Sequence, residues 1–394
     1  MTTVTLTHKI RLDPTYKQEA YFRKACGTAR FAWNWGLSKW EENYKAGKKT
    51  NALELKKEFN KQKEFEFPWV YEVTKYACQQ PFIHLQRAFQ GFFEKRAKYP
   101  RYKKKGIHDS FYIGGDQLKI LGKKVKIPNL GWVRLREFLR FEGKINGATI
   151  SRSADYWDIS ISVETHQKPP LCESQASVGV DLGIKTLATL SDGKMFTNHQ
   201  PLKKQLRRLK RSQRQFAKKQ NGSKNRAKAK MRIAKLHYKI ANSRRHTLHK
   251  LTTNLTKNYR HIVIEDLDIS QMIKSKRLSR SIMDCGWYEF RRQLIYKAKL
   301  KGNKIFIADK WYASSKRCSS CGHCKEELSL SERIYHCPNC TLEIDRDLNA
   351  AICLEKTINT VSSTEIKACG QDGSVSMLNT SLQPAWWKQE LSPV

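Results

Sequence analysis

Residues 318–351 read CSSCGHCKEELSLSERIYHCPNCTLEIDRDLNAA, and the first half of this stretch has the pattern of a metal knuckle. Two Cys-x-x-Cys steps, Cys318 with Cys321 and Cys337 with Cys340, are separated by fifteen residues, a spacing typical of four-thiolate zinc sites. Two such turns direct four sulfurs at one ion and leave no coordination position open. We therefore predict a structural zinc site.

This zinc site would be needed for folding, because about thirty residues cannot bury a core of their own. Cys324 adds a third Cys-x-x-Cys step, so that Cys324 or the neighbouring His323 is an alternative for one ligand. With four of the eleven cysteines assigned to a metal, the other thiols fit a reducing cytoplasmic interior better than a secreted disulfide scaffold.

The second half of the stretch carries an acid at the start of a helix. Residues 348–356 contain good helix formers, and Asp347 stands where a negative charge stabilises a helix N-terminus. Taken alone, Asp347 would be interpreted as a helix cap. Two acids far upstream give it a second interpretation.

Those acids, Asp181 and Glu265, each follow an apolar run, VGV in the first case and IVI in the second. An ionised acid in an apolar strand is costly unless it is paired or bound to a cation. A structural Asp181 at the surface remains an alternative. Asp266 and Asp268 compete with Glu265, and we expect both to be exposed.

A strand with its hairpin, a second strand and a C-terminal helix would bring Asp181, Glu265 and Asp347 together in an RNase H-like α/β domain. Such carboxylates suit two Mg²⁺ or Mn²⁺ ions about 4 Å apart. One ion would lower the pKa of the attacking water, and the other would stabilise the leaving 3′ oxygen. The three acids therefore predict metal-dependent hydrolysis of phosphodiester bonds.

The overall charge points to the same kind of substrate. The chain has 75 Lys and Arg against 36 Asp and Glu, a formal net charge of +39, and nucleic acid is the polyanion most able to neutralise it. No apolar run approaches the length of about 20 residues that spans a bilayer, and the N-terminus MTTVTLTHKIRLDP does not resemble a signal peptide. We expect nucleic-acid partners and neither a membrane nor a small-molecule substrate.

Two regions are candidates for nucleic-acid contact. No acid occurs between Asp192 and Glu265, where two amphipathic helices are predicted on either side of Asn221-Gly222. Their apolar faces would be Leu202, Leu206, Leu209 and Phe216, then Met231, Ala234, Tyr238 and Ala241. The candidate phosphate contacts are Arg207, Arg208, Arg211 and Arg214, together with Lys103, Lys104 and Lys105 in the basic run KRAKYPRYKKKG.

The N-terminal part begins with an alternating strand, residues 3–12, and continues as helices from Tyr16 to about Tyr99 with breaks at Pro68 and Pro81. Trp33, Trp35 and Trp40 are interpreted as core, with base stacking as the alternative. Residues 110–164 alternate again as short antiparallel strands. With the first strand these could close into a small OB-like β-barrel, a common oligonucleotide-binding platform.

The motifs GVDLGIKTLATLSDG, IVIEDLDI, CSSCG…CPNC and DRDLNAA resemble those of the TnpB proteins of insertion sequences, relatives of type V CRISPR effectors and of Fanzor proteins. The resemblance covers about residues 8–355. It implies a RuvC-like nuclease whose guide RNA is copied from the transposon end, and whose substrate is double-stranded target DNA. It also assigns the RuvC acids to Asp181, Glu265 and Asp347, with Asp345 the weaker candidate.

The resemblance further implies a prokaryotic, nucleoid-associated protein and a separate transposase encoded nearby. Alternatives are an RNA-guided DNA-binding protein without cleavage, a zinc-containing DNA-binding regulator, or a transposase that uses the same acids. The expected fold is a multidomain α+β chain. Its parts are a β-barrel wedge domain (1–15 and 106–168), a helical recognition insertion (16–105), a RuvC-like domain (172–316 and 343–365), a zinc-binding target nucleic-acid-binding insertion (317–342) and a mobile tail (366–394).

Overall fold

The computed structural model describes residues 3–166, 171–329, 332–358, 360 and 363–365. These residues divide into two compact units, 3–166 and 171–365, and each combines helices with antiparallel or mixed β-sheet. The expected mixed class of helices and sheets is confirmed. The predicted tail, 366–394, lies outside the described residues. None of the helices in the described part of the chain has the length and apolar character needed to cross a bilayer.

The first unit contains three α-helices and seven strands among its described residues. The helices are α1 (Tyr16–Lys45), α2 (Ala52–Gln62) and α3 (Lys75–Phe93), with short 3-10 turns at Pro68–Glu72 and Gly115–Gln117. The strands are β1 (Val4–Asp13), β2 (Ser110–Gly114), β3 (Lys119–Leu121), β4 (Lys124–Ile127), β5 (Gly131–Leu135), β6 (Lys144–Ser153) and β7 (Tyr156–Thr165).

All seven strands of this unit form one antiparallel sheet in the order β2-β6-β7-β1-β5-β4-β3. The long strand β1 is shared between two parts of the sheet, since residues 4–11 pair with β7 and residues 12–13 pair with β5. The inward residues of the strands and one face of α1 enclose a single core that includes Ile10, Phe22 and Trp157. Apolar and polar residues alternate along these strands, so the apolar side chains that form this core lie on one face of the sheet.

Helix α1 serves two cores. Thr15 caps it through a capping box with Gln18, its first half packs on the sheet, and its second half packs against α2 and α3. The three tryptophans follow the second half: Trp33 is buried and Trp35 and Trp40 are packed against the same helical core. The core interpretation of these tryptophans is confirmed.

One of the two predicted helix breaks is wrong. Pro68 opens a 3-10 turn between α2 and α3, as expected, but Pro81 lies inside α3. A proline there removes one backbone donor and normally costs about 3 kcal/mol. Phe82, Leu85 and Phe89 of the same helix are buried in the helical core, and their burial outweighs the loss.

The second unit contains a six-stranded mixed sheet, a two-stranded sheet and six described helices. Its strands are β8 (Ser177–Asp181), β9 (Thr186–Leu190), β10 (Met195–Thr197), β11 (His261–Glu265), β12 (Lys304–Ala308), β13 (Ile334–His336), β14 (Glu343–Asp345) and β15 (Ser363–Glu365). Its helices are α4 (Pro201–Ala217), α5 (Lys224–Asn258), α6 (Ile269–Met272), α7 (Ser279–Cys285), α8 (Trp287–Lys301) and α9 (Arg346–Glu355).

The large sheet has the order β10-β9-β8-β11-β12-β15, in which β8, β11 and β12 are parallel. One face carries Val178, Ile262 and Ile305 and is covered by α5 and α8. The opposite face carries Val263 and Ala308 and is covered by Leu354 of α9. Because both faces of the central strands are buried, their sequences are continuously apolar up to the acids at their ends.

The two basic helices pack against each other, but one of the predicted faces is wrong. Leu202, Leu209 and Phe216 of α4 meet Ile233, Leu236 and Ile240 of α5. The face predicted for α5 (Met231, Ala234, Tyr238 and Ala241) is partly or fully exposed. The turn at Asn221-Gly222 is confirmed, and Gly222 has the positive φ of +78° that favours glycine.

Candidate active site and zinc centre

The parallel pair β8 and β11 places two of the three acids at one edge of the sheet. Val180 lies opposite Ile264, so Asp181 and Glu265, each the next residue, end neighbouring strands side by side. Side chains alternate along a strand, so that both acids project to the same face as Gly179 and Val263. This face is the one that α9 covers.

Helix α9 brings the third acid to that face. A Cβ atom at Gly179 would lie 1.9 Å from the carbonyl oxygen of Ala351, so the helix backbone rests directly on the strand. Asp347 precedes Ala351 by four residues and therefore lies on the same side of α9, one turn nearer its start. Three acids from distant parts of the sequence thus lie around one sheet edge.

Asp345 caps α9, which corrects the interpretation of Asp347 as a cap. The Oδ1 atom of Asp345 accepts hydrogen bonds from the backbone N–H groups of Asp347 and Leu348, both at 3.0 Å. Asp347 occupies the first turn, with its Oδ1 3.6 Å from the guanidinium of Arg346. The two acids have separate roles, and Asp345 is engaged by the helix backbone.

The acids influence one another electrostatically. Burial raises the pKa of Asp181, the Glu265 and Asp347 carboxylates raise it further, and Arg346 opposes them. Burial also raises the pKa of Glu265, while a hydrogen bond of 2.7 Å from the Ser314 hydroxyl lowers it. Crowded, partly buried carboxylates of this kind are stabilised by a bound cation. Within the described part of the chain, these oxygens are less closely gathered than the cysteine sulfurs described below.

The rivals of Glu265 have other partners. Asp266 is exposed and pairs with Arg291 at 2.9 Å, while Asp268 caps the short helix α6 and lies 3.4 Å from the Lys310 ammonium. Sequence reasoning did not find Ser314, which donates to Glu265. The signal was weak, because a serine six residues beyond the end of β12 has no distinctive spacing.

The four predicted cysteines converge. The Sγ atoms of Cys318, Cys321, Cys337 and Cys340 all lie within 4.8 Å of one another, with Cys318 and Cys340 at 3.5 Å and Cys321 and Cys337 at 3.6 Å. A tetrahedral zinc with Zn–S bonds of about 2.3 Å separates its sulfurs by about 3.8 Å, so the cluster fits this ion. Cys324 is exposed and lies outside the cluster, with its Sγ directed at the Lys325 carbonyl oxygen.

Asn349 connects the cysteine cluster to the helix that carries Asp347. This fully buried side chain accepts a hydrogen bond from the Ser319 N–H at 2.9 Å and donates one to the Arg317 carbonyl at 2.7 Å. Two further bonds support the link, from Cys353 to the Arg317 carbonyl and from Lys356 to the Ser319 carbonyl. Sequence reasoning did not single out Asn349, although an amide beside two alanines on a buried helix is expected to have hydrogen-bond partners.

The predicted basic contacts fall into two groups. Arg207, Arg211 and Arg214 of α4 line an open hollow of about 450 Å³ together with Lys210 and Lys218, which the sequence analysis did not single out. Arg208 is exposed on the same helix outside this hollow. In the other region, Lys103, Lys104 and Lys105 are all exposed, and the Lys103 ammonium lies 4.0 Å from the centre of the Trp33 ring.

Comparisons with known proteins agree with this geometry. Residues 160–276 match a family profile described as "Probable transposase", residues 287–354 match the "Cas12f1-like, TNB domain", and residues 1–49 match a "Helix-turn-helix domain". The last description does not apply to this structure, where the described residues of that range form β1, α1 and short loops.

Two curated relatives align over most of the chain. "Putative RNA-guided DNA endonuclease InsQ" of Escherichia coli strain K12 is 37% identical and covers 87% of this chain and 90% of its own length. "Putative RNA-guided DNA endonuclease" of Streptomyces pristinaespiralis is 34% identical and covers 87% of both chains. The fold resembles the protein in a solved "Cas12f1-sgRNA-target DNA complex", with a TM-score of 0.56 at 14% identity over 90% of this chain and 99% of that one. The resemblance seen in the motifs thus extends along the whole alignment, and the chain belongs to the TnpB family.

Proposed function

We propose that this protein is an RNA-guided DNA endonuclease that hydrolyses phosphodiester bonds at Asp181, Glu265 and Asp347. The observation that carries the proposal is the convergence of these acids: Asp181 and Glu265 end adjacent parallel strands, and α9 lays Asp347 over the same edge. The curated relatives that cover most of the chain are named as RNA-guided DNA endonucleases, which supports the assignment of substrate.

Two divalent ions, Mg²⁺ or Mn²⁺, would supply the activated water and the stabilised leaving oxygen when bound to these carboxylates. The chain's own groups prepare the site. Ser314 holds one oxygen of Glu265 by a hydrogen bond, Asp345 fixes the start of α9, and Asn349 ties that helix to the cysteine cluster. The cluster itself would hold zinc in a structural role, because four thiolates leave no coordination position for a substrate.

The finer architecture belongs to the same proposal. The antiparallel sheet of the first unit would be the OB-like barrel of a wedge domain, an interpretation supported by the single core to which its strands contribute and by the sharing of β1 between two parts of the sheet. The second unit would be RNase H-like of the RuvC type, with residues 317–342 as its zinc-binding insertion and 16–105 as a helical recognition insertion of the first unit. The cations of α4 that line the hollow, among them Arg207, Arg211 and Arg214, would lie along a phosphate backbone.

The partners would be a guide RNA from the transposon end and double-stranded target DNA, in the cytoplasm or nucleoid of a prokaryote with a separate transposase encoded nearby. The net charge of +39 and the solved complex of a protein of similar fold with guide RNA and DNA support a nucleic-acid-bound protein.

The test uses protein purified together with its RNA. Sequencing of that RNA identifies the guide, and matching DNA should be cut in Mg²⁺ and left intact in EDTA. Asp181→Ala should abolish cutting and retain DNA binding, while Asp266→Ala, a matched change at an exposed acid, should cut normally. If Asp181→Ala cuts like the wild type, the catalytic assignment is wrong. Target binding without cutting by the wild type would favour the RNA-guided binding protein.

A further inference from the structure

Trp311 is one of the three most exposed large apolar side chains of the described residues, together with Tyr16 and Phe65 at 84% each. It is 85% exposed, the highest value in that group, whereas its neighbour Tyr312 is packed beneath α9. A large aromatic side chain usually stabilises the folded state by being buried, and an indole left in water does not make this contribution. Such a residue calls for an explanation outside the folding of the chain.

The loop that carries Trp311 is firmly held. The backbone N–H of Trp311 donates to the Asp309 side chain at 2.8 Å, and that of Tyr312 donates to the Asp309 carbonyl at 2.9 Å. The Tyr312 hydroxyl donates to the Cys353 carbonyl of α9 at 3.2 Å. The indole is therefore displayed from a fixed turn, so the backbone of the loop need not become ordered when the ring meets a ligand.

Both ends of this loop adjoin the proposed catalytic Glu265. The loop leaves the sheet after Ala308, which lies opposite Glu265 in the parallel pair of β11 and β12. It returns at Ser314, whose hydroxyl donates to Glu265 at 2.7 Å. Trp311 lies at the middle of the loop, so its place in the fold is beside the edge where the three acids meet.

The surroundings of the indole favour a nucleic-acid ligand. The Lys310 ammonium lies 5.8 Å from the centre of the ring and is partly neutralised by Asp268 at 3.4 Å. An exposed aromatic ring on an ordered turn beside a cation is an arrangement on which single-stranded nucleic acids stack. Every base has a π-face that an indole can cover, but in a duplex both faces are occupied by neighbouring bases. The ligand that fits is an unpaired base.

We infer that Trp311 stacks on an unpaired base of the DNA strand that is being cut, close to the scissile phosphate. This inference rests on the proposed function and adds a positioning residue to it. Stacking would hold the strand in a single-stranded form at the carboxylates without selecting a particular base. From the usual strength of base–aromatic stacking, its loss should reduce cutting about tenfold to a hundredfold.

The test is a cycle of substitutions in protein and DNA. Guide-loaded wild type and Trp311→Ala are compared on targets that carry one abasic nucleotide, moved in turn through the positions flanking the cut. We expect one position to slow the wild type by about tenfold or more and to leave the already slowed Trp311→Ala unaffected, with Trp311→Phe intermediate. Tyr288→Ala removes another exposed aromatic of the same unit, 66% exposed, and should behave like the wild type.

The inference would be overturned if, at every position, the abasic nucleotide slowed Trp311→Ala by the same factor as the wild type. Normal cutting by Trp311→Ala would also overturn it. Sensitivity to abasic positions in the guide RNA instead would also overturn it. A second readout is independent of cleavage: a single strand carrying 2-aminopurine is bound in Ca²⁺, and its fluorescence should be quenched by the wild type but less by Trp311→Ala. Equal quenching by both proteins would reject stacking even if the enzyme cuts, whereas unequal quenching without any cutting would count against the proposed function alone.

Discussion

Gly179 shows how a single residue positions the proposed active site. Glycine is the one residue type at this position that lets the backbone of α9 lie directly on β8, since any side chain there would meet the Ala351 carbonyl. In sequence it is part of an ordinary apolar run, VGVD, and a glycine within a strand indicates only a close approach by some unknown neighbour. The structure identifies that neighbour as the helix that carries Asp347.

We expect Gly179→Ala to destabilise the second unit by about 1–3 kcal/mol, the usual cost of overpacking a filled core. Because α9 must move away from β8, cutting should fall further than the loss of folded protein explains. Thermal unfolding and cutting of matching DNA by the folded fraction are the measurements. Gly27→Ala on α1 is the control, since the nearest atom to its new Cβ is 3.8 Å away. A Gly179→Ala protein as stable and active as the wild type would contradict the close packing.

At the scale of elements, α4 depends on a cap from outside itself. Its own N-cap, Gln200, has a left-handed backbone and makes no capping bond. Instead the buried Asp284 of α7 accepts from the N–H groups of Leu202 and Lys203 and pairs with Arg244 of α5 at 3.0 Å. One carboxylate thus joins three helices around the basic pair.

We expect Asp284→Ala to destabilise the protein by about 3–5 kcal/mol, because it leaves the partly buried Arg244 and the start of α4 without their partner. The measurement is chemical unfolding, with helix content followed by circular dichroism. Asp266→Ala removes an exposed acid from the same unit and should change stability by less than about 1 kcal/mol. Equal effects of the two changes would show that Asp284 is not a tie between helices.

The cysteine cluster is the second element whose loss can be measured. Cys318→Ser with Cys337→Ser should release the zinc and lower the unfolding temperature of the second unit, because metal binding and folding of so small a segment are linked. Metal content by mass spectrometry and thermal unfolding are the measurements. Cys324→Ser should keep its zinc, since this thiol lies outside the cluster. Zinc loss in Cys324→Ser alone would mean that the ligand set is different.

The elements also show where sequence reasoning reached its limit. The strands of the first unit and the cysteine spacing depend on local periodicity, and the structure has them close to where the pattern predicts. The short strands β13, β14 and β15 were not predicted. The apolar face of α5 could not be chosen in this way, because two stripes with the same spacing of three or four residues run along it and the partner α4 selects the one with Ile233 and Ile240. The predicted helix break at Pro81 was wrong for a related reason. The burial of the neighbouring residues of α3, which outweighs the cost of the proline, is visible only in three dimensions.

Asp181 and Glu265 were predictable because each follows an apolar run, where an acid needs a partner or a cation. Asp347 was placed with them by its position at a helix start and by the family resemblance, whereas the residues that support these acids were not found. Ser314 and Asn349 act through hydrogen bonds to residues distant in sequence, as Asp284 does at the start of α4, and no spacing rule connects them to their partners.

For the whole molecule, the excess of positive charge predicts a strong dependence of nucleic-acid affinity on salt. Removing one cation that binds a phosphate should reduce the slope of log K against log salt by about 0.9 on duplex DNA. Changing Arg207, Arg211 and Arg214 to Gln should therefore flatten this slope by up to about 2.7 if all three bind phosphates. Binding titrations over a range of salt concentrations are the measurement.

The control for this prediction removes the same charge from the same helix. Lys203, Lys204 and Arg208 are exposed on α4 but do not line the hollow. If their replacement by Gln flattens the slope as much as the first set does, net charge alone accounts for the effect. If neither set changes the slope, α4 has no part in binding.

The bonds from Asn349 to residues 317 and 319 have a practical consequence for protein engineering. A zinc segment transplanted from a relative would arrive with its four cysteines intact and still misplace the helix beside it, unless Arg317, Asn349 and Lys356 are transferred with it. The exchangeable cassette is therefore longer than the span between the first and last cysteine, and its natural boundaries lie before Arg317 and after Lys356.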